Sequence, residues 1–183
     1  MELILAVNRI LPALGEHPVT SLNTKHPTLA ILLPKIQNKL EDLTMMGWWF
    51  NTFKTTLYPD SEGGVALPTD TLSFVPMFDN AVQRGSALYN GDTQSYIWTA
   101  PIEGTIITRI PFDELPESMA SYVFYSALVV AYVTDIGMEN EVQLWQTEAA
   151  QAERRVMSEH LRNRKYTTQR SPRYQRIRHA MRG

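Results

Sequence analysis

The sequence predicts an α+β fold: a helical bundle carrying a small inserted antiparallel β module and ending in a basic, extended C-terminal arm. Three observations predict it. Apolar residues recur at three- and four-residue steps near both ends of the chain, which is helical spacing. The middle is rich in Phe, Thr and Tyr in loose alternation, which is strand composition. The last 30 residues collect charge: from residue 154 onward there are ten Lys/Arg and one acid, Glu159, and residues 167–172 lose the helical pattern. The expected division is 1–49 with 112–165 as the bundle, 50–111 as the β module, and 166–183 as the arm.

The elements follow in order. Leu3, Val7, Ile10 and Leu14 form one helical face, with Gly15 as the stop. Pro12 weakens the last turn because it has no N–H to donate. A second helix starts at Pro27, since Pro suits a first helical position. Its stripe is Leu29, Leu32, Leu33, Ile36, Leu40 and Leu43, Pro34 should bend it, and Gly47 caps it.

Between 50 and 111 we read five or six short strands: 50–58, then Leu72 with Phe74 and Pro76, then 105–110. Ala87-Leu88-Tyr89 and Tyr96-Ile97-Trp98 are read as a hairpin around Asn90-Gly91, a pair that favours positive φ. A third helix starts at Pro116 and reaches about Thr134. A fourth runs from about Glu139 to Arg164 with a seam of Val142, Trp145, Ala149, Ala152 and Val156, too short for a coiled coil.

Composition narrows the functions available. The chain has 183 residues, 44% of them hydrophobic, which suffices for one ordinary domain with a real core. The absence of cysteine excludes disulfides, thiolate metal sites and Cys nucleophiles. Residues 1–14 do not read as a secretory signal, because Glu2 precedes the apolar stretch and Asn8-Arg9 interrupts it. The longest apolar run, 122–133, is too short to span a bilayer, which takes about 20 residues; it reads as a buried helix.

Chemistry-bearing patterns are sparse. His17, His26, His160 and His179 are scattered, without i, i+4 partners of the kind that bind metal. No nucleophile elbow and no phosphate-binding loop occurs. Asp113, Glu114 and Glu117 form one acidic knot, which could do acid–base work. A helix start explains the knot better, since negative charge complements the helix dipole there. Gly47-Trp48-Trp49-Phe50 could be an exposed aromatic platform, but core packing at the helix-to-strand junction is the favoured reading. No catalytic residue, metal ligand or cofactor is therefore assigned.

The strongest signal is charge asymmetry, although formal net charge is only −2. A basic tail on an acidic body is built to meet an anionic partner: nucleic acid, an acidic protein surface, or a neighbouring copy. The candidate contact residues are Arg162, Arg164, Lys165, Arg170, Arg173, Tyr174, Arg176, Arg178 and Arg182. Arg suits bidentate pairing with carboxylates and phosphates. Tyr166, Tyr174, Ile177 and Met181 interleave the charges, which favours folding against a protein over simple solvation; DNA contact is second.

Several segments, in order, resemble one family. They are Ala6-Val7-Asn8-Arg9-Ile10-Leu11, Gly15-Glu16-His17-Pro18-Val19-Thr20-Ser21-Leu22, Gly47-Trp48-Trp49-Phe50-Asn51, Leu67-Pro68, and Arg109-Ile110-Pro111-Phe112-Asp113-Glu114-Leu115-Pro116-Glu117. Spread over residues 6–165, they are similar to the tail tubular protein A family of short-tailed bacteriophages, the portal-to-nozzle adaptors or gatekeepers. The resemblance implies a virion structural protein and no enzyme, with a helical bundle carrying a β-rich module. It implies a ring, dodecameric in the virion, at the head–tail junction, made in the host bacterial cytoplasm and not in a membrane. Its implied partners are the portal protein, a nozzle protein of the tail tubular protein B type, copies of itself, and the viral DNA retained in and ejected through the channel it lines. By position alone, the arm is assigned to portal docking. The alternatives are a basic-tailed DNA-binding protein and, behind it, a glycan hydrolase of the tail using Asp113 and Glu117, which would need two carboxylates about 5–9.5 Å apart.

Overall fold

A computed structural model describes residues 1–164 apart from Thr24, Asp79 and Glu139. The helices are α1 (Leu3–Ile10), α2 (Pro27–Thr44), α3 (Glu117–Asp135) and α4 (Asn140–Asn163). The strands are β1 (Thr52–Leu57), β2 (Thr71–Pro76), β3 (Ala81–Arg84), β4 (Ala87–Asn90) and β5 (Ile102–Thr108). All strand pairs are antiparallel, so the fold is α+β.

Buried apolar side chains fall into two clusters, one for each kind of secondary structure. The helical cluster joins α1 through Val7 and Ile10, α2 through Leu32, Ile36 and Leu40, α3 through Met119, Val123 and Ala127, and α4 through Val156. Small residues on α3 (Ala120, Ala127, Ala131) let its neighbours approach closely, and all three are buried. The stretch 122–133 lies in α3, with Val123, Phe124, Ala127, Leu128, Ala131 and Tyr132 buried and Val133 exposed, and among the described residues no helix is long and apolar enough to cross a membrane. The second cluster contains Val65, Leu67, Phe74, Leu88, Trp98, Ile102 and Ile106.

Local chemistry explains the turns. Pro12 breaks α1 into a short 3-10 turn over Leu11–Leu14, and Gly15 closes it at φ 77°. The following loop is pinned back on α1 by a reciprocal amide bridge: Asn8 Nδ2 donates to the Val19 carbonyl at 2.9 Å, and the Val19 N–H donates to Asn8 Oδ1 at 2.8 Å. Pro34 lies inside α2 without ending it.

The three-stranded sheet runs β1-β5-β2, with Phe53 opposite Ile106 and Ile106 opposite Phe74. Gly104 at its centre leaves room for the Phe74 ring; a Cβ there would also come within 2.7 Å of the Val75 carbonyl.

The hairpin lies one strand earlier than the sequence reading placed it. β3 and β4 pair across Gly85-Ser86, with Gly85 at φ 61° and Arg84 opposite Ala87. This is the two-residue spacing, with glycine first, that a hairpin turn requires. Asn90-Gly91 instead opens a wider loop. Asn90 Oδ1 accepts the Asp92 and Thr93 N–H groups at 2.9 and 3.2 Å, and only a single bridge to Ser95 follows. Tyr96-Ile97-Trp98 is therefore no strand. Trp98 instead anchors the loop, donating its indole N–H to the Leu88 carbonyl at 3.0 Å.

Candidate functional site: the helix-to-sheet junction and the root of the basic arm

Gly47-Trp48-Trp49-Phe50-Asn51 joins α2 to β1 and couples the two clusters. Gly47 turns the chain at φ 75°, against the Ile107 side chain of β5. Trp48 is 3% exposed and donates its indole N–H to the Leu43 carbonyl at 2.6 Å. Asn51 is fully buried and uses its whole amide. Its Oδ1 accepts the Trp48 N–H at 2.8 Å, and its Nδ2 donates to the carbonyls of Thr44 and Thr108, each at 3.0 Å. The end of α2, the turn and the end of β5 thus meet on one side chain. The main chain adds a bond from the Thr108 N–H to the Asn51 carbonyl at 2.9 Å. A few ångströms of side chain fix the direction in which the sheet leaves the bundle. Trp48 is core and Trp49 and Phe50 pack half-buried against it, but the residue that organises the turn is the asparagine, a role sequence reasoning passed over. A short polar residue closing an aromatic turn was the available signal.

The arm begins at the same corner. α4 lies on α3 through Val142, Ala152 and Val156, and Trp145 meets Tyr132 edge-on at 4.8 Å. Near its end, His160 packs edge-on to Trp48 at 5.4 Å and tilted to Trp49 at 6.1 Å. Its Nδ1 is buried without a hydrogen-bond partner. Burial first, and the Arg164 charge second, hold the imidazole below the usual histidine range. Beside it, the Ser118 hydroxyl donates to Glu159 Oε2 at 2.7 Å, tying α4 to the start of α3. On α3, burial and then Glu153 raise the Tyr122 phenol above its ordinary value.

Of the sequence-predicted contact residues, Arg162 and Arg164 lie at the α4 terminus, exposed and without ion-pair partners among the described residues. Arg154 and Arg155, roughly two to three turns earlier on α4, are likewise exposed. Lys165, Arg170, Arg173, Tyr174, Arg176, Arg178 and Arg182 lie outside the described residues, as does the expected extended course of the arm.

The acidic knot adjoins Ser118 and serves the N-terminus of the chain. Asp113 accepts the Leu3 N–H at the start of α1, and Glu117 Oε2 pairs with the Met1 amine at 2.7 Å. The knot does sit at a helix start, but the helix it caps is chiefly α1, remote in sequence. Both carboxylates are engaged structurally. Among the described residues no group of three His, Asp or Glu side chains is placed to hold a metal. What the site offers is rigid placement of a basic terminus, which is binding chemistry.

Comparison with known proteins agrees with that character. The family model described as tail tubular protein matches residues 4–166. Tail tubular protein A of Klebsiella phage KP34 is 27% identical over 177 residues, covering 96% of this chain and 95% of that protein. With both cores, the Asn51 junction and the α4 terminus inside the matched region, the chain belongs to the tail tubular protein family, structural components of bacteriophage tails.

Proposed function

We propose that the protein is the head-to-tail adaptor of its virion: a ring of identical subunits that joins the portal to the tail nozzle, lines the DNA channel, and takes part in genome retention and ejection. The observation that carries this is the family match along residues 4–166, which spans bundle, β module and the α4 terminus alike. Residues 1–49 with 112–165 act as the ring-forming, portal-facing unit, and 50–111 as the unit that reaches the nozzle and neighbouring subunits. A ring requires a heterologous interface that closes on itself. Two units coupled through a buried amide, a main-chain bond and an ion pair are suited to that. The nozzle partner is a tail tubular protein B type protein, and the ring is a dodecamer in the virion.

Arg162, Arg164, Lys165, Arg170, Arg173, Tyr174, Arg176, Arg178 and Arg182 form the portal-docking arm. Excess acid on the body suits a channel wall, since like charge keeps passing DNA from sticking. Catalysis has no part in this role, and no cofactor is required.

The test is assembly without the protein. Particles made in its absence should contain portals but carry no nozzle. Nozzles attached directly to portals in such particles would refute the adaptor role. Salt-steep binding of duplex DNA by the isolated chain, without portal affinity, would favour the DNA-binding alternative.

A further inference from the structure

Three depressions run end to end along one side of α2. The first, about 400 Å³, lies by His26, Leu29 and Ala30. The second, about 360 Å³, is floored by Leu3, Ile36 and Phe112 and shares Leu22 and Leu33 with the first. The third, about 570 Å³, lies by Leu40, Asp70 and Glu114 and shares Gln37 with the second. Because neighbours share lining residues, they form one groove beside α2 from Pro27 to Leu40, roughly 20 Å at 1.5 Å per residue. Its middle is apolar. At the sheet end stand the exposed carboxylates of Asp70 and Glu114, neither ion-paired among the described residues, whereas Arg109 nearby is taken by Glu41 at 3.2 Å. At the other end, His26 Nδ1 is a buried nitrogen without a hydrogen-bond partner.

We propose that this groove is the docking site for residues 170–182 of the same chain. Four observations choose that occupant. Tyr174, Ile177 and Met181 recur at i, i+3, i+7, the anchor spacing of a helical face laid in an apolar groove. Thirteen residues in that form span roughly 20 Å, the length of the groove. Charge is complementary: residues 165–183 carry six Lys/Arg and no acid, whereas 1–164 carry 11 basic and 19 acidic residues. The guanidinium groups flanking the anchors match the unpaired Asp70 and Glu114.

The fourth observation is reach. Near the end of α4, Glu159 holds Ser118. The adjacent Glu117 holds the Met1 amine, and Leu3, two residues on, lines the groove floor. The arm's root therefore stands within a few residues of the groove. The ten residues from Arg164 to Tyr174 can extend to about 35 Å, so the arm reaches it without a second copy. The inference goes beyond the adaptor role and does not depend on whether the portal is the arm's eventual partner.

The test uses the full chain, whose lack of cysteine makes introduced thiols unique. Gln37→Cys on the exposed groove rim is combined with Ile177→Cys and treated with a short bismaleimide. A Gln143→Cys pair, on the exposed surface near the start of α4, gives the yield of an unanchored arm. The groove pair should cross-link within one chain, well above the Gln143 pair, and Asp70→Lys with Glu114→Lys should lower that yield roughly threefold or more. Equal yields from the two pairs would overturn the proposal. So would cross-links between copies in a mixture of the single-cysteine chains, which would assign the groove to a neighbour's arm.

Discussion

Removing the Asn51 amide should uncouple the sheet from the bundle at a calculable cost. In Asn51→Ala, the buried Trp48 N–H loses its hydrogen-bond partner, a penalty of about 1–3 kcal/mol. The carbonyls of Thr44 and Thr108 each lose a donor; Thr44 keeps the Gly47 N–H at 3.1 Å, and net losses of about 0.5–1.5 kcal/mol each are appropriate. The sum is roughly 2–6 kcal/mol, against a typical total of about 5–15 kcal/mol for a domain. Asn51→Asp keeps the acceptor for Trp48 but turns the donor into an oxygen facing two carbonyls, and it buries a charge. It should therefore destabilise at least as much as alanine, although it conserves volume. The assay is urea unfolding followed by tryptophan fluorescence and far-ultraviolet circular dichroism, with Trp48 and Trp49 at the junction and Trp98 in the sheet cluster as local probes. Losses below about 1 kcal/mol for both variants would refute the idea that this side chain couples the clusters. A mild aspartate beside a severe alanine would show that volume, and not hydrogen bonding, is what matters.

Other consequences are as direct. Gly104→Ala should destabilise by about 1–3 kcal/mol, because the added carbon meets the Phe74 ring and the Val75 carbonyl; a shift in the thermal midpoint measures it. Asp113→Ala should cost about 1 kcal/mol by freeing the first N–H of α1, with amide exchange accelerating at Leu3 before it does in α3. His160 has a pH signature. Its imidazole is held below its unfolded value, so the unfolded chain binds the proton first as pH falls. Stability attributable to it is therefore complete above the ordinary histidine range and declines as pH drops through that range toward the lowered folded value. His160→Gln should flatten that part of a stability-against-pH curve, and an unchanged slope would remove the assignment.

What could be read from the sequence was whatever depends on short-range pattern. In the α2 stripe Leu29, Leu32, Ile36 and Leu40 are buried with Leu33 and Leu43 half-buried, and the α4 seam buries Val142, Ala152 and Val156 with Trp145 and Ala149 half-buried. Pairings closed through a turn were harder. Asn90-Gly91 carries a stronger hairpin preference than Gly85-Ser86, yet the Asn90 side chain spends its oxygen on Asp92 and Thr93 and opens the loop. Long-range polar contacts were not legible at all. Nothing near Asp113 says that it will meet the N–H of Leu3, 110 residues away, and nothing in Gly47-Trp48-Trp49-Phe50-Asn51 says that the amide will reach Thr108. Such partners exist only once the chain has folded. The basic terminus is legible by charge, which needs no fold; the groove beside α2 required the packed elements.

Co-purification with the cognate portal ring, imaged by negative-stain electron microscopy, tests the adaptor role most directly. The full chain should cap the portal as a closed ring, and replacing Arg170, Arg173, Arg176 and Arg178 with Glu should weaken that capping while leaving the fold intact. A folded full-length chain that never joins the portal, under conditions where portal and nozzle assemble without it, would contradict the role.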